Sequence, residues 1–274
     1  GSADYGAAVD TIVVTHPAGD DHTYSSSATI STDVEWNDVT IADGVTITID
    51  EDGSLIVQGD LVHAGSGKIV LQSIATKSAA IKVIGSSTGD ITYERWVNEV
   101  NASANTGWDL VGSPVTGQSI SGFSSQAALA TNGSGQTAIG LFDNSDASWT
   151  NYTGSGSGWQ AGNFVAGKGY AMATDAGGAT VDFTGDISTS TVTIDIEDHI
   201  ATGSNWDLIA NPFPSYLNAN DDAHKTNNFL TVNTDKLDDT YEAVYGYDGD
   251  GTYTPYNHTG TTAVFIAPGQ GFMV

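Results

Sequence analysis

The feature that most constrains this chain is an internal repeat of about 100 residues. Residues 205–215 read NWDLIANPFPS, and residues 106–115 read TGWDLVGSPV. The copies also end alike, with AGKGYAM at residues 166–172 and APGQGFMV at residues 267–274. Their tryptophans lie 98 positions apart, and their closing glycines lie 102 positions apart. A period this regular means that one structural unit is used twice.

Short strands around polar turns are predicted within each unit. They are residues 108–111, 138–142, 149–152 and 169–173 in the first unit, and residues 206–210, 243–247, 253–256 and 271–274 in the second. Residues 124–130 are predicted as a short helix, and Trp108 and Trp206 are assigned to the core. Two further strands, residues 180–183 and 191–196, are interpreted as the end of the first unit.

The N-terminal part has a different pattern. Residues 28–97 alternate apolar and polar side chains in short runs separated by Asp-Gly and Gly-rich turns, as strands with one buried face do. Strand centres lie roughly 8 to 14 residues apart, too close for intervening helices. This spacing favours a short β-solenoid or β-roll, with an antiparallel sandwich as the alternative. Residues 11–14 are predicted as an additional short strand.

The predicted fold is therefore all-β, with a short β-solenoid or β-roll followed by duplicated β-sandwich-like units. The expected domains are residues 1–99, residues 100–200 and residues 201–274. The second unit stops where the first continues into further strands, so we expect the sequence to be part of a longer protein with neighbouring domains.

Composition excludes several functions. Acidic residues outnumber basic ones by 33 to 7, which gives a formal net charge of −26 and a pI near 4.1. Such a charge repels nucleic acids and anionic membranes, so neither is an expected partner. The chain has no cysteine, which excludes disulfides and thiolate chemistry. No apolar run approaches 18 residues, so membrane insertion is not expected.

Four segments carry a resemblance to a known group of proteins. They are WDLIANPFPS, VYGYDGDGTYTPYN and IAPGQGFMV in the second copy, and VDFTGDISTSTVTIDI between the copies. They resemble repeated β-rich segments of large secreted or cell-surface proteins of Bacteroidetes that use type IX secretion. The repeats of those proteins carry NPYPS and PGQGFFV motifs. The first copy departs from these motifs: it has GSP in place of the Asn-Pro turn, and a lysine in place of the glutamine. The resemblance implies a secreted or surface-attached module and supplies no catalytic residue.

Acidic turns are candidate calcium sites. Asp248 and Asp250 lie two residues apart on a glycine-bent turn, so both carboxylates can face one hard cation. Asp143, Asn144 and Asp146 form the counterpart turn in the first copy. Neither turn has the later ligands of an EF-hand, and the alternative is an ordinary Asp-Gly hairpin turn.

Aromatic residues near turns are candidate ligand-binding residues, because flat rings stack on sugar faces while polar neighbours bind hydroxyl groups. The alternative is that they form core or cross-strand pairs. Trp159, in a Gly-rich loop, is the best single candidate for an exposed ring. The candidates are Trp149, Tyr152 and Trp159 in the first copy, and Tyr253 and Tyr256 in the second.

No catalytic motif stands out. The chain lacks HExxH, its GSGSG segment lies in a Gly/Ser loop, and no spacing singles out a carboxylate pair. We therefore expect a non-catalytic, extracellular adhesion or glycan-binding module, with calcium as a candidate stabilising ion and a polysaccharide or cell-surface glycan as partner. The alternatives are a purely structural spacer and, third, a polysaccharide-degrading lyase or glycoside hydrolase.

Overall fold

The computed structural model describes residues 19–101, 103–104, 106–175, 177–197, 199 and 203–274. The strand predicted at residues 11–14 lies outside these ranges. The described protein is nearly all-β, with 40% strand and 5% helix, which confirms the predicted fold class.

The N-terminal part is a β-solenoid of about three turns. Its strands are, in chain order, β1 (His22–Tyr24), β2 (Ala28–Ile30), β3 (Asp33–Trp36), β4 (Val39–Ile41), β5 (Thr46–Ile49), β6 (Ser54–Val57), β7 (Leu61–His63), β8 (Lys68–Leu71), β9 (Ser73–Ile74), β10 (Lys77–Ser78), β11 (Ala80–Val83), β12 (Ser87–Thr88) and β13 (Ile91–Val97).

Each turn of the solenoid contributes strands to three parallel sheets, ordered β1-β4-β7-β12, β2-β5-β8-β13 and β3-β6-β11. Inward side chains stack on the equivalent residue of the next turn, as Val39 does on Leu61 and Ile47 on Ile69. All four are at most 1% exposed, so each turn completes the core of its neighbour. Parallel pairing excludes the antiparallel sandwich for this region.

Aspartates hold one corner of the solenoid. The Asp38 carboxylate accepts the backbone N–H of Asp60 at 2.8 Å, and the Asp60 carboxylate accepts the backbone N–H of Ser86 at 2.7 Å and its hydroxyl at 2.8 Å. The bonds from Ser86 hold the pKa of Asp60 below its usual value. Some of the acidic excess is therefore structural, because these carboxylates join successive turns.

The two repeated units follow the solenoid. The first contains β14 (Asp109–Val111), α1 (Ile120–Phe123), β15 (Thr137–Asp143), β16 (Ser148–Tyr152), β17 (Tyr170–Met172) and β18 (Ala179–Gly185). The second contains β19 (Leu208–Ala210), β20 (Leu217–Asn218), α2 (Phe229–Asn233), β21 (Val244–Tyr247), β22 (Tyr253–Tyr256), β23 (Phe265–Ile266) and β24 (Gly271–Met273).

The duplication inferred from sequence is visible in the sheet topology. The main sheet of the first unit has the order β14-β17-β15-β16, and that of the second has the corresponding order β19-β24-β21-β22. Two predictions inside the units are wrong. The short helix is α1, just before residues 124–130, where the Ser119 side chain caps it. Residues 191–196 form no strand, and Ile194 and Ile196 pack against the apolar cluster of the second unit.

One strand joins the solenoid to the first unit. β13 pairs in parallel with β8 of the solenoid and antiparallel with β18 along its whole length. One apolar cluster consequently runs from the solenoid interior through Tyr93 to Phe123 and Phe183 of the first unit. Residue 99, the expected domain boundary, lies in the connection after β13, and the apolar core continues across it.

The two units contact each other through equivalent segments. Val111 pairs with Gln270, and its counterpart Ile209 pairs with Lys168, the counterpart of Gln270. Such reciprocal pairing is the pattern of a two-fold interface, here formed within one chain. The contact needs glycines, because a Cβ on Gly271 would lie 2.7 Å from the carbonyl carbon of Leu110.

The NPFPS motif is a structural turn. Asn211 is fully buried, and its side-chain amide donates to the carbonyl oxygens of Ser215 at 2.7 Å and Ile266 at 3.1 Å. The following Pro214 carbonyl accepts the backbone N–H of Ile81 at 2.7 Å. The motif therefore fixes both the turn and the attachment of the second unit to β11 of the solenoid.

Replacing Gly271 should weaken the contact between the units. We expect Gly271→Ala to lower the free energy of unfolding by about 1–3 kcal/mol, because the new methyl group meets backbone atoms that cannot move independently. Equilibrium denaturation measures the change. Gly133→Ala is the matched control, since a Cβ there meets no atom within 4 Å, and it should change stability by less than about 0.5 kcal/mol. Equal losses in both variants would contradict the packing argument.

Candidate functional site

Each unit ends a hairpin with a pair of aromatic rings. Phe142 is directly opposite Trp149 on β15 and β16, and Tyr247 is directly opposite Tyr253 on β21 and β22. The ring centroids lie 5.2 Å apart in the first pair and 5.0 Å apart in the second. Residues opposite each other in adjacent strands share a sheet face, so each pair forms one apolar surface. We call residues 142–149 and 247–253 the hairpin tips.

One ring of each pair is accessible. Trp149 is 44% exposed and Tyr253 is 39% exposed, whereas Phe142 and Tyr247 are half-buried against the contact between the units. The half-buried ring of each pair thus packs against the exposed ring. The outer ring keeps part of its surface free for a ligand.

Carboxylates stand beside the rings at the second tip. Asp248 accepts the hydroxyls of Thr254 at 2.9 Å and Thr252 at 3.2 Å, and Asp250 accepts the Thr252 hydroxyl at 2.6 Å. The hydrogen bonds from Thr252 hold the pKa of Asp250 below its usual value, so this carboxylate is ionised at neutral pH. The tip therefore combines flat apolar rings with fixed hydrogen-bond acceptors.

The first tip has the same elements in a different arrangement. Asp143 accepts the hydroxyl of Ser145 at 2.6 Å and its backbone N–H at 3.0 Å, and these bonds lower the pKa of Asp143. The Asn144 side chain instead donates to the Asp207 carboxylate at 2.9 Å, which joins the tip to the second unit. Asp146 is exposed.

Each tip rests on the opposite unit. The backbone N–H of Ser204 donates to the Asn144 carbonyl at 2.7 Å, and the backbone N–H of Gly107 donates to the Gly249 carbonyl at 2.7 Å. The repeat therefore positions both tips beside the tryptophan that begins the other copy.

The remaining predicted ligand-binding residues are less accessible. Tyr152 is 7% exposed, and Tyr256 is half-buried against the core of the second unit. The expectation of a freely exposed Trp159 is wrong: it is half-buried, with its ring centroid 6.2 Å from that of Tyr152 and 6.1 Å from that of Tyr170. The Trp159 ring packs against the apolar cluster that the solenoid and the first unit share.

The assignment of the repeated tryptophans to the core is also wrong in part. Trp206 is 38% exposed and lies edge-on to Tyr245, with ring centroids 4.6 Å apart, while Trp108 is half-buried. Sequence reasoning missed Trp206 as a surface ring because a tryptophan before aliphatic residues is typical of a buried strand. It precedes β19 rather than belonging to it.

The second hairpin tip offers two carboxylates as ligands for a metal ion. Asp248 and Asp250 converge, since their carboxylates lie 3.2 Å and 2.6 Å from the same Thr252 hydroxyl oxygen. No group of three or more His, Cys, Asp or Glu side chains suited to a metal occurs in the described part of the chain. Calcium takes six to eight oxygen ligands, so this tip would need carbonyl oxygens or water to complete a site. Calcium binding stays a prediction.

Calcium binding is tested by thermal melts in about 5 mM Ca²⁺ and in EDTA. A ligand that binds only the folded state raises the midpoint, so a calcium site predicts an increase of several degrees that Asp248→Ala/Asp250→Ala abolishes. Asp235→Ala removes a carboxylate that is exposed and outside both tips, and it should leave the increase unchanged. Equal midpoints in calcium and EDTA would contradict the prediction.

A histidine between two carboxylates is a cluster that sequence reasoning missed. His258 Nδ1 lies 2.8 Å from the Asp221 carboxylate, and Nε2 lies 3.3 Å from the Glu242 carboxylate. Burial lowers the pKa of His258, but the bonds and charges of Asp221 and Glu242 outweigh it, so the pKa is raised. Asp221 also accepts the Thr231 hydroxyl of α2 at 3.2 Å. The cluster therefore connects α2 to both ends of the second hairpin.

The His258 cluster should make stability depend on pH. A raised histidine pKa contributes stability that is complete below the unfolded value of about 6.5 and is lost as pH rises through the folded value. We therefore expect His258→Gln to lower the melting midpoint by several degrees at about pH 5.5 and by much less at about pH 8.5. A difference that is constant or grows with pH would show that the charge of His258 has no part in stability.

Comparisons with known proteins place the chain in a family. Among the described residues, no helix is long and apolar enough to cross a bilayer. No curated protein and no solved structure matches the chain. One family profile, described as a domain of unknown function (DUF8693), matches residues 9–274. Since this match covers nearly all of the sequence, the chain belongs to the DUF8693 family.

Proposed function

We propose that the chain is a non-catalytic extracellular module that binds a polysaccharide or cell-surface glycan through its two hairpin tips. The observation that carries the proposal is the repeated arrangement of an aromatic pair beside an acidic turn, with Trp149 and Tyr253 as the accessible rings. An aromatic face binds the C–H surface of a sugar, and neighbouring acceptors bind its hydroxyl groups.

The charge distribution supports a neutral or cationic glycan over a polyanionic one. Each tip carries carboxylates whose lowered pKa values keep them ionised at neutral pH, namely Asp143 and Asp250. The net charge of −26 adds long-range repulsion of anions. A ligand rich in hydroxyl groups and without carboxylates or sulfates avoids this repulsion.

The repeat supports an extended ligand. Two similar tips on one chain allow a polymer to engage both, and the second contact then forms at a high effective concentration. Weak binding at each tip would thereby give useful retention on a polysaccharide or a cell surface. The extracellular location rests on the resemblance of the NPFPS and PGQGFMV segments to repeats of secreted proteins, and it stays a proposal.

Glycan binding is tested by affinity electrophoresis in gels containing neutral or acidic polysaccharides. We expect at least one neutral polysaccharide to retard the protein, and Trp149→Ala/Tyr253→Ala to weaken that interaction about tenfold or more, which corresponds to roughly 1.4 kcal/mol. The control is Tyr241→Ala, since Tyr241 is 65% exposed and lies outside both tips. Melting midpoints of all variants should agree within a few degrees.

Three results would overturn the proposal. Absence of retardation in every polysaccharide would favour the structural spacer, and equal loss in the tip and control variants would place binding elsewhere. Shortening of a polysaccharide during incubation would favour the lyase or hydrolase.

A further inference from the structure

The two repeated units are related by an approximate two-fold rotation. The backbone N–H of Gly112 donates to the Gly269 carbonyl at 2.9 Å, and the backbone N–H of Ala210 donates to the Gly167 carbonyl at 2.8 Å. Gly112 and Ala210 are equivalent positions of the repeat, as are Gly167 and Gly269. Each unit therefore gives the other the same hydrogen bond that it receives, which is the property of a two-fold contact.

Side chains at this contact pack with the same reciprocity. A Cβ on Gly169 would lie 2.6 Å from Cγ of Leu208, and a Cβ on Gly271 would lie 2.8 Å from Cβ of Leu110. Both leucines are 6% exposed and belong to one apolar cluster. The two-fold relation is thus fixed by close packing as well as by hydrogen bonds, so it sets the orientation of one unit against the other.

The hairpin tips follow the same two-fold relation. Asn144 and Gly249 each lie two residues after the half-buried ring of their tip. The Asn144 carbonyl accepts the backbone N–H of Ser204 at 2.7 Å, and the Gly249 carbonyl accepts the backbone N–H of Gly107 at 2.7 Å. Ser204 and Gly107 stand just before the repeated tryptophans of the opposite units. The rotation that exchanges the units therefore also exchanges the tips.

A two-fold relation limits how one polymer chain can occupy both tips. A polysaccharide has a direction, from its non-reducing end to its reducing end. A half-turn preserves the direction of a line only when the line is parallel to the axis, and such a line through one tip does not pass through the other. A straight chain across both tips would therefore meet them in opposite senses. Hydrogen bonds are directional, so the acceptors Asp143 and Asp250 cannot bind its hydroxyl groups equivalently.

We propose that the protein bridges two separate glycan segments, one at each hairpin tip. This bridging rests on the proposed function, glycan binding at the tips, and adds the way in which the two tips are used. Both tips combine an aromatic pair with an acidic turn, so both segments belong to the same class, a neutral or cationic glycan rich in hydroxyl groups. A module of this kind joins polymer chains to one another or to a cell surface.

Bridging is tested by dynamic light scattering, with the full chain titrated into dilute galactomannan, mannan and hydroxyethyl cellulose. We expect the hydrodynamic radius to rise about twofold or more with at least one of these neutral polymers, because each protein joins two segments. The rise should be largest at an intermediate ratio of protein to polymer and should decline in excess protein, where separate protein molecules occupy the segments. A radius that never rises, in a polymer that retards the protein in gels, would overturn bridging and leave glycan binding in place.

Single-tip variants show whether both tips are needed. Trp149→Ala and Tyr253→Ala each keep one tip, so we expect weaker retardation in gels and no rise in radius. Tyr241→Ala is the matched control and should cross-link as the wild type does, since Tyr241 is exposed and lies outside both tips. An equal rise in either single-tip variant would overturn the proposal, because bridging would then come from self-association. Absence of retardation in all three polymers would overturn glycan binding for them, and bridging with it.

Discussion

The pairing of β13 with β18 is the interaction on which the rest of the structure depends. β13 extends the parallel ladder of the solenoid on one edge and accepts an antiparallel strand on the other. A solenoid presents an open edge at its last turn, and an open edge invites pairing with other chains. Here the pairing with β18 covers that edge and places Phe183 over α1, so the solenoid and the first unit share one core.

The second unit is held by reciprocal contacts between equivalent segments rather than by a strand shared with the solenoid. It attaches to the first through Val111–Gln270 and Ile209–Lys168 pairing, and to the solenoid through the Pro214 carbonyl. These contacts depend on glycines, which allow close approach of two backbones, and on a buried asparagine, whose amide bonds to backbone carbonyl groups. Neither residue type acts mainly by burying apolar surface. The parts of the repeat most similar between copies are therefore mainly structural: they form the turns and the contact between units.

The proposed binding function belongs to the hairpin tips, a feature that both copies share outside the contact between the units. The hairpin tips keep an aromatic pair and acidic residues but differ in which rings and acceptors they use. Comparison of the two copies shows which parts of each hairpin are shared and which differ.

The sequence by itself determined the all-β class, the solenoid and the duplication. Period-2 alternation marks the buried face of each strand, and the repeat is visible directly as similar residues about 100 positions apart. It also identified the hairpins with their aromatic and acidic residues. It did not determine which rings face solvent. Trp159, in a Gly-rich loop, packs against the apolar cluster of the first unit, whereas Trp206, beside aliphatic residues, precedes β19 and lies at the surface. Exposure depends on contacts between segments far apart in sequence, and only the tertiary structure decides those contacts.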